Sequence, residues 1–226
     1  MYAILTRVDD TAQNIKTFWF KPQTPAHYIA GQFIEFYLLH EHADDRGQRR
    51  WFTLSSSPSE DMLSITTKFA LENGSTFKQT LGELPLGSRI MFSEPMGDFV
   101  LPKDTSIPLV FVAGGIGVTP MRSMVKWLTD KAEKRDVTVL YGARDKREIA
   151  FRGLFEAYCG GDQFKTFTDR PITSEDILAV IKSKPEALIY LAGPEPMVEK
   201  YVADLKQVGI QSRQLVTDYF PGYPGV

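Results

Sequence analysis

Residues 107–121 read IPLVFVAGGIGVTPM, an apolar, largely β-branched run that ends in three glycines within four positions and then a Thr-Pro pair. An apolar run unbroken by polar alternation suits a strand buried on both faces, the condition of a parallel strand in an α/β sheet. Glycines at its end permit positive φ and a close approach of backbone to ligand. Thr119 is the expected cap of the helix that follows, and Pro120 suits its first turn, where a missing N–H has no intrahelical partner to lose. The stretch therefore predicts a strand, a tight turn and a helix in that order.

The residues downstream repeat that rhythm. PLVFVAGG, VTVLYGAR, FKTFTDR, ALIYLAGP and RQLVTDYF read as five strands, and segments near 119–131, 149–159, 173–183 and 196–208 read as four helices. Met121, Met124, Val125 and Leu128 make the stripe of the first helix; Met197, Tyr201, Val202 and Leu205 make that of the last. Such alternation means parallel strands joined by helical crossovers. Upstream the pattern differs: YAILTRV, IKTFWF, FIEFYLL, RWFTLS, MLSITTKF and SRIMFSEP are short, often period-2 segments separated by turn residues. They predict antiparallel strands closed into a barrel or sandwich. One exception, STFKQTLGEL, carries Phe77, Leu81 and Leu84 at helical spacing. LPKDTSIP, where two prolines bracket a polar turn, is the expected boundary. The fold expected is thus two domains in 226 residues: an N-terminal antiparallel β-barrel over 1–103 and a C-terminal α/β domain with a five-stranded parallel sheet over 104–226.

A formal net charge of -2 without any Lys/Arg-rich run argues against nucleic acid as a partner. No apolar stretch approaches the roughly 20 residues of a membrane span, and MYAILTRVDD lacks the regions of a signal peptide, so the expected location is cytoplasmic. The single cysteine, Cys159, allows neither an internal disulfide nor the four thiolates of an ordinary iron–sulfur cluster. It reads as an inert thiol ending an apolar helix face, the commoner case, with a redox thiol as the lesser alternative. HEHADD at 40–45 places two imidazoles and three carboxylates close together, but His27 is the only further histidine, so no metal is expected.

The amides and the partial positive charge at the helix start behind Gly114, Gly115 and Gly117 favour a phosphate. On these residues alone, a glycine-rich turn that binds nothing stays open. The spacing is not GxGxxG and the Lys of a P-loop is absent. GGIGVTPM resembles the pyridine-nucleotide pyrophosphate motif of the ferredoxin-NADP reductase superfamily, and RWFTLSS at 50–56 resembles that family's RxYSxxS flavin motif.

The resemblance implies that Arg50 meets the flavin phosphate, that Phe52 lies against the ring system, that Thr53 sits near flavin N5 as the catalytic hydroxyl, and that Ser56 takes the final motif position. Phe52 and Thr53 stand where the family usually has Tyr and Ser. YIAGQFIEF is similar to the family's YxxGQF segment, with Gly31 and Gln32 shaping the pocket, and MGDFVLP to its GxF element. SITTKF is similar to the strand whose backbone meets the flavin pyrimidine, implicating Thr66 and Lys68, and NGSTFKQTL to the short helix that meets the flavin phosphates through Gly74, Ser75 and Thr76. LAGPEPM resembles the CGPxxM motif beside the nicotinamide: Gly193, Pro194 and Met197 match, and Ala192 replaces the Cys. Tyr219 and Phe220 stand in the family's aromatic C-terminal segment.

By this resemblance the chain is a flavin-dependent NAD(P)H oxidoreductase without a fused iron–sulfur domain. It would bind FAD, ahead of FMN, take NAD(P)H as co-substrate, and pass electrons to a separate acceptor, either a small redox protein or a small molecule. The alternative is a flavin-binding electron-transfer subunit or redox sensor with little turnover alone. Arg144, Arg147 and Arg170 would pair with the 2′-phosphate of NADPH, whereas Asp169 would repel it and accept from the free 2′-hydroxyl of NADH.

Overall fold

The computed structural model describes residues 1–41, 43–44, 47–69 and 74–220. Its first six strands are β1 (Tyr2–Ala12), β2 (Ile15–Pro22), β3 (Phe33–Tyr37), β4 (Arg49–Thr53), β5 (Leu63–Lys68) and β6 (Arg89–Phe92). They form one antiparallel sheet in the order β4-β3-β6-β1-β2-β5. The two outer strands meet: Leu54 bridges Ile65, and the Ser55 N–H donates to the Ser64 carbonyl at 2.8 Å, so the sheet curls toward closure. Alternation along β4 is strict from Arg49 to Phe52. Arg50 and Phe52 turn inward while Arg49 and Trp51 are exposed.

Inside the sheet lies an aromatic core. Phe36 meets Phe20, Phe52, Phe77 and Phe92 at 5.5–6.0 Å between ring centroids, mostly edge-on as ring quadrupoles prefer. Phe77 and Leu81 reach it from α1 (Thr76–Glu83), one helical turn apart. The helical stripe that interrupts the strand pattern is therefore the plug of this core. Ser75 caps α1 by accepting from the Lys78 N–H at 3.2 Å.

The second half alternates β7 (Leu109–Gly114), α2 (Thr119–Asp130), β8 (Val137–Gly142), α3 (Arg152–Cys159), β9 (Phe164–Phe167), α4 (Ser174–Ile181), β10 (Leu188–Pro194), α5 (Glu195–Gln207) and β11 (Leu215–Phe220). All its strands are parallel, in the order β11-β10-β7-β8-β9. Separate buried clusters lie on the two faces, one including residues of α2 and α3, the other residues of α4 and α5. The chain moves outward from β7 through β8 to β9, then returns to β7's other side with β10. The carboxyl ends of β7 and β10 therefore flank a topological switch point, where sheets of this kind leave a crevice.

Two local expectations are corrected. Thr119 does not cap α2: after β7 the chain makes a 3-10 turn over Gly115–Val118, Val118 precedes the first helical residue, and the Thr119 hydroxyl donates to the Ile116 carbonyl at 3.0 Å. Because the chain is already coiled through the turn, Thr119 lies inside helical backbone, where its hydroxyl finds a carbonyl one turn back. The helix expected from 149 begins at Arg152, because Phe151 takes a left-handed conformation at φ 57° and breaks the coil. Among the described residues no helix is long and apolar enough to cross a membrane.

Candidate active site

β4 brings Arg50 and Phe52 to one face. The Arg50 side chain is only 7% exposed, and its guanidinium lies over the Phe77 ring at 5.0 Å and donates to the carbonyls of Gly47 (3.0 Å) and Arg49 (2.7 Å). Its other terminal nitrogen faces Asp44 at 3.4 Å. The second Asp44 oxygen accepts from the Thr76 N–H at 3.2 Å, at the start of α1. The barrel half thus holds an anion cradle of one buried guanidinium and one helix N-terminus, with a carboxylate in it. Donors that meet a carboxylate in this way are of the kind that would also fit a phosphate.

Thr53 ends β4 and is 5% exposed, and among the described residues no fully buried side-chain oxygen is left without a partner. The Ser56 and Thr66 hydroxyls are taken up internally. Ser56 bonds to the Tyr28 hydroxyl (2.9 Å) and accepts from the Ser64 N–H (2.9 Å), while Thr66 bonds to Thr17 and Ser55, each at 2.8 Å. Lys68 donates to Glu148 of the other half at 2.6 Å. These three side chains hold the fold together where they stand.

At the switch point two distant motifs converge. A Cβ at Gly117 would fall on the Ala192 carbonyl of β10, so this glycine is required by close backbone approach. Met197 lies over both Gly114 and Gly193, where an added Cβ would come within 2.5 and 2.6 Å of its thioether end. Gly115 has φ +53° and open space around it. GGIGVTPM and LAGPEPM therefore form one surface, whose open part is the Gly115 turn at the end of β7. That turn has the room and the backbone amides a dinucleotide's pyrophosphate needs.

Asp218 is the residue the sequence reading passed over. It pairs with Ala192 across β11 and β10, and burial pushes its carboxyl up to about 6. Its signal was its position two residues before Phe220 in the last strand. Tyr219 points out and is exposed, while Phe220 packs at the edge of the core cluster shared with α2 and α3.

The arginines around the expected ribose site differ. Arg170 is held by Asp176 through two bonds at 2.6 and 2.8 Å, and Arg147 by Asp145 at 2.7 and 3.0 Å. Arg144 is exposed just past β8 and has no ion pair among the described residues; Asp169 is exposed past β9. Burial pushes the Cys159 thiol up to about 12, so it is not a nucleophile at neutral pH. Among the described residues no group of three or more His, Cys, Asp and Glu side chains could hold a metal; His42 and Asp45 of HEHADD lie outside them.

The halves are tied beside the site. Arg122 of α2 makes a forked pair with Glu60 and donates to the Ser55 carbonyl at 2.8 Å, and the Ser123 hydroxyl donates to the Ser56 carbonyl at 2.5 Å. The helix that follows the glycine turn thus grips the end of RWFTLSS.

Residues 111–203 match the family described as oxidoreductase NAD-binding domain. Flavohemoprotein A of Dictyostelium discoideum is 27% identical over 96% of this chain and 59% of its own length, and a flavohemoprotein of Bacillus thuringiensis is 25% identical over 91% and 57%. The chain spans somewhat under three-fifths of the length of these relatives. Among solved structures, phthalate dioxygenase reductase superposes with TM-score 0.79 at 23% identity, covering 100% of this chain and 69% of that one. Ferredoxin-NADP+ reductase of Plasmodium falciparum superposes with TM-score 0.80 at 14% identity, covering 97% and 95%. At these identities the superpositions speak to the fold, which is the two-part barrel and α/β arrangement described above.

Proposed function

We propose that this chain belongs to the ferredoxin-NADP reductase superfamily and is a flavin-dependent NAD(P)H oxidoreductase that takes a hydride from NAD(P)H onto bound FAD and passes the electrons to a separate acceptor. One observation carries the reading: an anion cradle on the barrel and an open glycine turn at the switch point stand on two halves joined at Arg122. A flavin held there would supply the chemistry that no side chain here can, taking up a hydride and giving up electrons singly.

The protein's own residues bind and orient. Arg50 and the start of α1 hold the flavin phosphate, with Gly74, Ser75 and Thr76 supplying amides and hydroxyls. The Thr53 hydroxyl would be the hydrogen-bonding group toward the flavin ring, and Phe52 would give it an apolar wall. The Gly115 turn takes the dinucleotide's pyrophosphate, and Gly193, Pro194 and Met197 shape the nicotinamide end. Phe220, beside Pro194 at the end of β11, borders that end. Residues 1–103 form the flavin-binding unit and 104–226 the nucleotide-binding unit.

The visible spectrum of the purified protein, recorded before and after NADH or NADPH is added without oxygen, tests this. The expected result is a flavin spectrum that a nucleotide bleaches. A protein that takes up neither FAD nor FMN overturns it. A specific observation favours a second reading, an electron-transfer subunit or sensor with little turnover: Ala192 leaves no thiol at the nicotinamide end and is fully buried under the glycine turn. A bound flavin that neither nucleotide bleaches would select that reading.

A further inference from the structure

We propose that the outer face of β3 and β4 around Trp51 docks the electron acceptor, a protein presenting an apolar centre ringed by Lys and Arg; its role as acceptor rests on the flavin reading above. Alternation along β4 turns Trp51 away from the barrel core and leaves it 67% exposed. The Phe33 ring lies 5.9 Å from it, and Met96 and Ile29 are exposed as well. Phe33 bridges Met96 on one side and pairs in register with Thr53 on the other, so these three residues stand in one row. Gln32 braces that row: its side chain accepts from the Ile29 N–H at 2.9 Å and donates to the Gly97 carbonyl at 3.2 Å.

Single apolar side chains on a surface need no explanation, but a contiguous group marks an interaction site. Aromatic residues and Met are the types enriched at protein interfaces, and the transient encounters of electron-transfer proteins bury the least area, which suits a patch of four side chains. The patch runs up to Thr53, the residue read above as facing the flavin ring, so a protein seated there is brought beside the flavin. Charge chooses the partner. Glu94, Met96 and Asp98 alternate outward, placing an exposed carboxylate on each side of Met96. Glu35, in register with Trp51, is matched by Arg49 at 4.0 Å, which leaves Glu94 and Asp98, neither in an ion pair among the described residues, to set the sign of the rim. A negative rim steers a positive partner, and salt screens the attraction.

Cytochrome c, a basic one-electron acceptor protein, and ferricyanide, a small anionic one, are the probes. Each NADH or NADPH yields two electrons and one proton as it is oxidised, so it reduces two ferric cytochromes or two ferricyanides. Trp51→Ser should raise KM for cytochrome c by about tenfold. Glu94→Gln combined with Asp98→Asn should remove most of the fall in kcat/KM for cytochrome c that added salt causes. Ferricyanide reduction and nucleotide bleaching should keep their wild-type rates in both variants. A Trp51→Ser effect that is absent, or equal for the two acceptors, overturns the proposal, and so does cytochrome c reduction that speeds up with salt. Calorimetric titration with ferric cytochrome c at low salt reads docking without electron transfer. If the protein holds no flavin, yet the wild type binds cytochrome c and Trp51→Ser does not, the flavin reading falls and the docking surface stands. No binding by the wild type overturns the proposal.

Discussion

Asp218 is a carboxyl that burial keeps partly protonated near pH 6, well above its ordinary range. An acid whose folded-state value is raised binds protons in the native state that the unfolded chain has already lost. Native stability therefore falls as pH rises from about 4 to about 6 and stays lowered above that. Asp218→Asn should raise stability at pH 8 by an amount on the order of 1 kcal/mol and leave it unchanged at pH 4. Urea denaturation at the two values measures this, and an equal effect at both would show that the carboxyl is not the group responsible. The glycines divide in the same residue-by-residue way. Gly117→Ala drives a Cβ into the Ala192 carbonyl and should cost about 3 kcal/mol or more. Gly115→Ala meets nothing and pays only for its positive φ, roughly 1 kcal/mol. Thermal unfolding separates the two, and equal losses would contradict the close approach of β7's turn to β10. The motif spelling could not make this distinction, because GGIG shows three identical letters and only the packing shows which one faces a neighbour and which faces a ligand.

Among the elements, strands and helices were legible where burial imposes a period. The unbroken apolar runs of β7, β8 and β10 and the stripe of α2 stand in the structure close to where the residues place them. What failed were ends. The 3-10 turn at 115–118 and the left-handed Phe151 depend on local backbone choices that apolar spacing does not encode. Charge pairing was equally hidden. Arg144 and Arg170 read alike in sequence, but Asp176, the third residue of α4 and a member of its capping box, holds Arg170 in a fork. Arg170→Ala should therefore weaken the start of α4 and leave the NADH-to-NADPH preference where it was. Arg144→Ala, at the end of β8, should raise KM for NADPH more than for NADH. Steady-state kinetics with both nucleotides check this pair, and a preference that follows Arg170 instead would mean that Asp176 releases it on binding.

At the scale of the whole molecule the two halves are coupled by side chains that neither sheet needs for itself. Arg122 projects from α2 across to Glu60, which also accepts from the Ser57 N–H at 2.6 Å, and Lys68 of β5 reaches Glu148 beyond β8. Within each half, hydrophobic periodicity announced the layers. No pattern in the chain announced these contacts, because they join residues 62 and 80 positions apart. Arg122 and Glu60 are both largely withdrawn from water, so removing one partner leaves a buried charge uncompensated. Arg122→Ala should lower stability by about 3 kcal/mol, and Arg122→Ala with Glu60→Gln should lose much less than the sum of the two single changes. The same change frees α2, and with it the glycine turn, from the end of RWFTLSS. Nucleotide-dependent bleaching of the flavin should therefore slow in Arg122→Ala even at saturating nucleotide, while flavin content stays at the wild-type level because Arg50, Thr53 and α1 are untouched. Rapid-mixing absorbance at saturating NADH or NADPH measures that rate. An unchanged rate alongside the predicted loss of stability would show that the clasp holds the halves together without setting how they face each other.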